Sequence, residues 1–257
     1  MRIVVPLKAV PDLVEEIELN DDGTDIEREY LKFVLNEWDD QALEEALLIK
    51  DAGGAEVVAV ALADDPDIEQ ALYTAMAKGA DAAVKIDRGS DEPTDTHARA
   101  AAFAAYLKDN PADLVITGVQ APDDLDGQLP PALAAHLGQP HVSVVVSVEP
   151  NGGSATVRQE FSGGRAAELK VDLPAVVGLQ AARQAPRYAP VSKVRAAQQA
   201  GGLSEVTVAP LETQPPLTVR KMYPPVSSSH AEMLTGEPEE IAEKIIELLR
   251  DRALIKE

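Results

Sequence analysis

Residues 114–138 read Leu114-Val-Ile-Thr-Gly-Val-Gln-Ala-Pro-Asp-Asp-Leu-Asp-Gly-Gln-Leu-Pro-Pro-Ala-Leu-Ala-Ala-His-Leu-Gly138. Leu114 to Thr117 is a short apolar run of strand length. The loop from Gly118 to Pro131 follows, and Leu129 to Leu137 has helical spacing before the stop at Gly138. Strand, glycine-bearing loop and helix in that order form the repeating unit of a parallel sheet, in which ligands sit beyond the carboxyl ends of strands. The helix start offers amide donors and the positive end of its dipole to a phosphate. Gln120 and Gln128 are suited to bonding an adenine or a ribose. Asp123, Asp124 and Asp126 would repel a phosphate or cap the helix themselves. By spacing alone the loop is a nucleotide-binding turn or a plain solvated one.

The same alternation extends toward the N-terminus. Ile3 to Leu7, Val57 to Leu62 and Ala82 to Ile86 are apolar runs of strand length, and the second is continuous enough to be buried on both faces. Between them, Asn36 to Lys50 carries Ala42, Leu43, Ala46 and Leu47 at helical spacing, and Gly53-Gly54 ends it. Asp67 to Lys78 is a helix closed by Gly79, and Thr94 to Lys108 is helical and alanine-rich. This order predicts an α/β fold with a mainly parallel, Rossmann-like sheet and helices on both faces. Downstream, Val142 to Val148, Ser154 to Gln159 and Glu168 to Leu173 read as strands joined by turns at Asn151-Gly-Gly153 and Ser162-Gly-Gly164. Pro174 to Leu179 returns to a buried run. These segments predict an antiparallel extension of the sheet.

From about Gln180 the pattern weakens. Pro186, Pro190, Pro210, Pro215, Pro216, Pro224 and Pro225 punctuate a stretch with little periodicity, a linker or an arm. The chain closes with a helix opened by Glu237-Pro-Glu-Glu240 and striped by Ile241, Ile245, Leu248 and Leu249. That stripe either wraps a partner or folds back on the chain's own sheet.

Composition limits the functions available. Aromatics make up only 4% of the chain, so the core is built from Ala, Val, Leu and Ile. There is no cysteine, which excludes disulfides, thiolate metal sites and cysteine nucleophiles. A net charge of −21 opposes nucleic acid and anionic membranes and serves solubility or steering to a basic partner. No apolar run reaches the roughly 20 residues of a membrane span. The start Met1-Arg-Ile-Val-Val-Pro6 lacks a signal or transit pattern, which predicts a cytoplasmic location. His97, His136, His141 and His230 lack metal-ligand spacing, and calcium-loop spacing is absent from the aspartates. There is no phosphate-binding Gly-Lys-Ser/Thr, no Gly-x-Gly-x-x-Gly after the first strand and no Gly-x-Ser-x-Gly. Ser227-Ser-Ser229 reads as a turn. Trp38, the only tryptophan, is either core or a cover for a flat ligand ring.

Three segments together carry a family resemblance. They are Asn36-Glu-Trp-Asp-Asp-Gln-Ala-Leu-Glu-Glu-Ala46, the Gly118 to Pro131 loop, and Val157-Arg-Gln-Glu-Phe-Ser-Gly-Gly-Arg-Ala-Ala-Glu168 with Leu173-Pro-Ala-Val-Val177 and Pro186-Arg-Tyr-Ala189. Lys8 and Met76-Ala-Lys-Gly-Ala-Asp81 also fit. The chain resembles the β subunits of electron-transfer flavoproteins over most of residues 1–195. The resemblance implies a heterodimer with an α subunit that holds most of the FAD site. It implies an electron carrier rather than a catalyst with its own substrate, running between a donor dehydrogenase and a quinone-linked or other acceptor. It also implies a nucleotide pocket within this chain, for AMP in simple carriers or a second FAD in bifurcating ones. The pocket walls map to Pro6, Asn36, Trp38, Asp39, Leu62, Ala63, Gly118, Val119, Gln120, Ala121, Asp123, Asp124, Asp126, Gly127 and Gln128. Leu13 and Trp38 match positions that approach the partner's flavin. Val191 matches the docking residue of the family's recognition loop, so residues 1–185 are expected as the nucleotide-binding-type domain and 186–257 as recognition loop and wrapping arm.

The sequence also departs from the family. Asp126 stands where threonine is usual, Asp124-Leu125 replaces Gly-Asp and Pro130 replaces glycine. Asp64-Asp65-Pro66 replaces a neutral Gly-Pro turn, and Pro190 to Gln199 lacks the usual lysine cluster. The acids place negative charge where a phosphate would lie, which predicts weak, altered or absent nucleotide binding in this pocket. Two other readings are a stand-alone nucleotide-binding regulator and a structural partner with a decayed pocket.

Overall fold

The computed structural model describes residues 1–90, 94–124, 127–209, 218–226, 231 and 233–255. Asp126, Pro210, Pro215, Pro216, Ser227 to Ser229 and His230, singled out above, lie outside the described residues. The chain divides into two compact units, Met1–Arg220 and Lys221–Glu257.

The first unit is laid out around β1 (Arg2–Leu7), whose run Ile-Val-Val is wholly buried. Parallel partners flank it on both sides: β4 (Glu56–Leu62) in register Ile3↔Val57, and β6 (Leu114–Gly118) in register Ile3↔Leu114. Outside β4 lies β5 (Ala82–Asp87). Among the described residues this sheet has nine strands, in the order β11-β5-β4-β1-β6-β10-β7-β8-β9. The antiparallel extension is β7 (His141–Asn151), β8 (Ser154–Phe161) and β9 (Arg165–Asp172), turning at left-handed Gly152 and at Gly163-Gly164. β10 (Ala175–Leu179) comes back to lie between β6 and β7, parallel to both. A small hairpin, β2 (Ala9–Pro11) with β3 (Phe33–Leu35), follows β1 as a separate sheet.

Side-chain alternation along each strand divides the core in two. Ile3, Val5 and Leu7 of β1 join Val57, Ala59 and Ala61 of β4 on one face. Against them pack α1 (Glu37–Gly53) and α2 (Ile68–Lys78), through Leu43, Ala46, Leu47 and Leu72. Val4, Val58, Val60 and Leu62 face the other way, toward Ala100, Phe103 and Leu107 of α3 (Thr96–Asp109) and Leu133 of α4 (Leu129–Leu137). Both faces are therefore covered, and small side chains let the helices approach closely without aromatic bulk.

Three acids of α1 are buried as well, Asp39, Glu44 and Glu45. Glu45 accepts from the amides of Val148 and Arg183, at 2.9 and 3.1 Å, and from Arg183 Nε at 2.8 Å. Glu44 accepts from the Arg187 amide at 2.8 Å and from its guanidinium at 3.0 Å. These bonds fasten residues 183–187 across the back of α1.

Two elements of the first unit lie within the stretch expected as recognition loop and arm. α5 (Val191–Ala200) contacts α2, and β11 (Leu203–Thr207) extends the sheet beside β5. The second unit carries α6 (Pro238–Asp251), with no buried residue and with Ile245, Ile246 and Leu248 exposed. No helix among the described residues is long and apolar enough to cross a membrane.

Candidate functional site

The chain steps from β1 to β4 to β5 in one direction and then crosses back to β6 on the far side of β1. The loops beyond β1 and β6 therefore part, leaving a crevice at this reversal point. A small, shallow cleft opens there. Asn36, Asp39, Gly118, Gln120, Ala121 and Asp124 line it, six of the residues expected from the sequence. Lys8, Thr96, Arg99 and Leu129 complete the lining.

Asp39, in the first turn of α1, ties the two central strands together. Its Oδ2 accepts from the Lys8 amide at 2.9 Å and its Oδ1 from the Gly118 amide at 3.1 Å. Burial pushes its pKa up to about 7, against the lowering pull of Asn36, of these two amides and of the Arg99 charge. A Cβ on Gly118 would lie 2.5 Å from Asp39 Oδ1 and 2.8 Å from both the carbonyl carbon and the Cβ of Trp38. Gly118 is therefore required by the close packing of α1 on β6, and its backbone is not left-handed. Gly127 is left-handed, at φ 59°, where glycine is favoured. Asn36, at the N-cap of α1, does not cap it; its Nδ2 donates to the Gln120 carbonyl at 2.9 Å. Its Oδ1 is buried without a partner, so a cleft-lining residue carries an unpaired acceptor.

Among the described residues, the acids at 64, 65, 123 and 124 are matched with cations. Lys8 Nζ donates to Asp123 Oδ1 at 2.7 Å and to Asp124 Oδ1 at 2.8 Å. Asp124 Oδ2 accepts from the Ala121 amide at 3.0 Å and holds the loop in a tight turn. Arg99, from the alanine-rich face of α3, clamps Asp65 with two parallel bonds of 2.7 and 2.6 Å, and both side chains are 7% exposed. Burial opposes the Arg99 charge, but Asp65, Asp64 and Asp124 together raise its pKa further. Asp64 bonds Arg88 at 2.9 and 3.0 Å and also the Thr94 hydroxyl. Burial raises the Asp64 pKa, and these donors outweigh it, so the net shift is downward. Asp65 is paired because the β4–α2 loop meets the start of α3, Asp64 because that loop also meets the end of β5, and Asp123 and Asp124 because the β6–α4 loop meets the end of β1.

The start of α4 also differs from the expected cradle. Gln128 is its N-cap and makes no side-chain capping bond, and Asp123 and Asp124 bond Lys8 and Ala121 rather than capping it. Pro130 and Pro131 carry no N–H, so two of the first-turn donors that a phosphate would use are absent.

Other expected residues lie around the cleft or away from it. Pro6, Leu62 and Ala63 stand at the carboxyl ends of β1 and β4, and Val119 donates its amide to Leu179 at 3.1 Å. Trp38 is half-buried over Gly118. Leu13 is 64% exposed after β2, and Val191 is 60% exposed at the first residue of α5; neither lines the cleft. Thr96, Arg99 and Leu129 were not anticipated. The one available signal was Arg99 itself, an arginine set among alanines on a buried helix and so in need of an acid.

Comparison with known proteins bears on this arrangement. A family model described as the electron transfer flavoprotein domain matches residues 24–211. The chain is 31% identical to the electron transfer flavoprotein subunit beta of Methylophilus methylotrophus, over 98% of each chain. It is 30% identical to the subunit of the same name from Syntrophomonas wolfei, over 100% of this chain and 98% of that one. The chain belongs to the electron transfer flavoprotein β-subunit family. The relative of the same name from Clostridium acetobutylicum is 35% identical over 76% of this chain and 74% of its own. The chain is thus a β subunit of an electron transfer flavoprotein, and it works in electron transfer.

Proposed function

We propose that this chain pairs with an α subunit and that FAD, held mainly by that subunit and shared at the interface, carries electrons from a donor dehydrogenase to a quinone-linked or other acceptor. Family membership and the exposed apolar surface support this reading. Leu13, Val14 and Tyr30 are 64%, 93% and 83% exposed in the first unit, and Phe161 is 50% exposed on the antiparallel extension. Such side chains on an otherwise highly charged surface suit a partner interface. The unburied amphipathic α6 suits the same role. Leu13 and Trp38 are the positions assigned to the partner's flavin edge, and Val191 to docking of the dehydrogenase. The chain acts in the cytoplasm and contributes positioning and shielding rather than bond chemistry of its own.

Co-expression with an electron transfer flavoprotein α subunit tests this. The expected product is a yellow heterodimer whose flavin is released only on denaturation. A colourless chain that stays monomeric beside a flavin-loaded α subunit would refute it.

A further inference from the structure

We infer that the cleft between β1 and β6 excludes phosphate, because the chain's own carboxylates occupy the cations a phosphate would need. The inference rests on the cleft being the nucleotide-type pocket of the β-subunit fold. Lys8 is shared by Asp123 and Asp124 at 2.7 and 2.8 Å, and Arg99 is held by both oxygens of Asp65. A phosphate could reach either cation only by displacing a carboxylate already at bonding distance, with no gain in charge pairing. A second observation is independent of these pairs: Pro130, where the family has glycine, removes a further amide donor from the start of α4.

Among the described lining residues one buried acceptor is left without a partner, Asn36 Oδ1. Both oxygens of Asp39 beside it are already taken by the Lys8 and Gly118 amides. An unpaired neutral acceptor of this kind suits an uncharged ring bearing an amino group. The residues therefore fit a nucleobase or nucleoside and do not fit a nucleotide's phosphate.

The test uses the heterodimer. Nucleotide released by acid from the purified protein is measured by chromatography, and binding of adenosine and of AMP is measured by calorimetry. Asp123→Asn with Asp124→Asn frees Lys8 and keeps an amide oxygen at position 124 to accept from Ala121. The expected results are no stoichiometric AMP in the extract and adenosine bound at least about ten-fold tighter than AMP. The double variant should close that gap. One AMP per heterodimer, AMP binding as tight as adenosine, or a gap unchanged in the variant would each overturn the inference. So would failure of both ligands to bind either protein. The visible spectrum of the unaltered heterodimer separates the two levels: a yellow heterodimer containing AMP refutes this inference alone, and a colourless one refutes the reading beneath it.

Discussion

Replacing Gly118 with alanine should unfold more than a loop. The added Cβ would sit 2.5 Å from Asp39 Oδ1 and 2.8 Å from the Trp38 backbone carbon, and neither neighbour is the free end of a flexible chain. α1 must therefore lift from β6, and overpacking of this kind costs about 1–3 kcal/mol. Lifting α1 also breaks the 3.1 Å bond from the Gly118 amide to Asp39, which is 4% exposed. A buried donor and acceptor left unpaired cost about 1–3 kcal/mol more. Together the loss is about 2–6 kcal/mol. With a urea slope of roughly 2–3 kcal/mol/M, the midpoint should fall by about 0.7–3 M. Trp38, the only tryptophan, lies at the contact and reports the transition by fluorescence. Gly53→Ala is the control. It lies in the last turn of α1 with nothing within 4 Å of its would-be Cβ and no left-handed φ. It should be neutral or stabilise by up to about 1 kcal/mol. If Gly118→Ala moves the midpoint no further than Gly53→Ala, the argument that this glycine exists for helix–strand packing is wrong.

Two further outcomes follow from the buried acids. The folded pKa of Asp39, about 7, lies above its ordinary 3.8, so between those values the native chain holds a proton that the unfolded chain has released. Its contribution is full below pH 3.8 and disappears as pH rises through 7, about 4 kcal/mol in all. Urea midpoints from pH 4 to 8 should show this fall in the wild type and lose it in Asp39→Asn; equal slopes would refute the assignment. Asp64, whose pKa is lowered, acts in the opposite sense and mainly below its ordinary 3.8. Glu45→Ala leaves the Val148 and Arg183 amides and the Arg183 guanidinium without their acceptor and should cost about 3 kcal/mol or more. Glu69→Ala removes a pair with Lys85 whose acid is 54% exposed and should cost under about 1 kcal/mol. Equal thermal shifts in the two variants would show that burial does not set the difference.

Local pattern carried much of the fold. The helix expected over Leu129 to Leu137 is found at those residues, and the strands from Ile3, Val57, Ala82 and Leu114 all occur. Apolar continuity and glycine stops are local signals, so burial on two faces is written into each segment. The place of β10 between β6 and β7, ahead of its sequence neighbour β9, has no local signal. Nor does the return of residues 203–207 to the sheet beside β5, which depends on what α5 packs against.

At the cleft the division is sharper. The sequence by itself determined the family, the strand–loop–helix at residues 114–138 and the presence of five acids, at 64, 65, 123, 124 and 126, near the expected pocket. Only the tertiary structure decided what the first four do. Asp65 and Arg99 are 34 residues apart, and Lys8 and Asp123 are 115 apart, yet each pair meets at hydrogen-bonding distance. A carboxylate's charge is a property of the residue. Whether that charge repels a ligand or holds a lysine depends on the neighbours the fold brings to it.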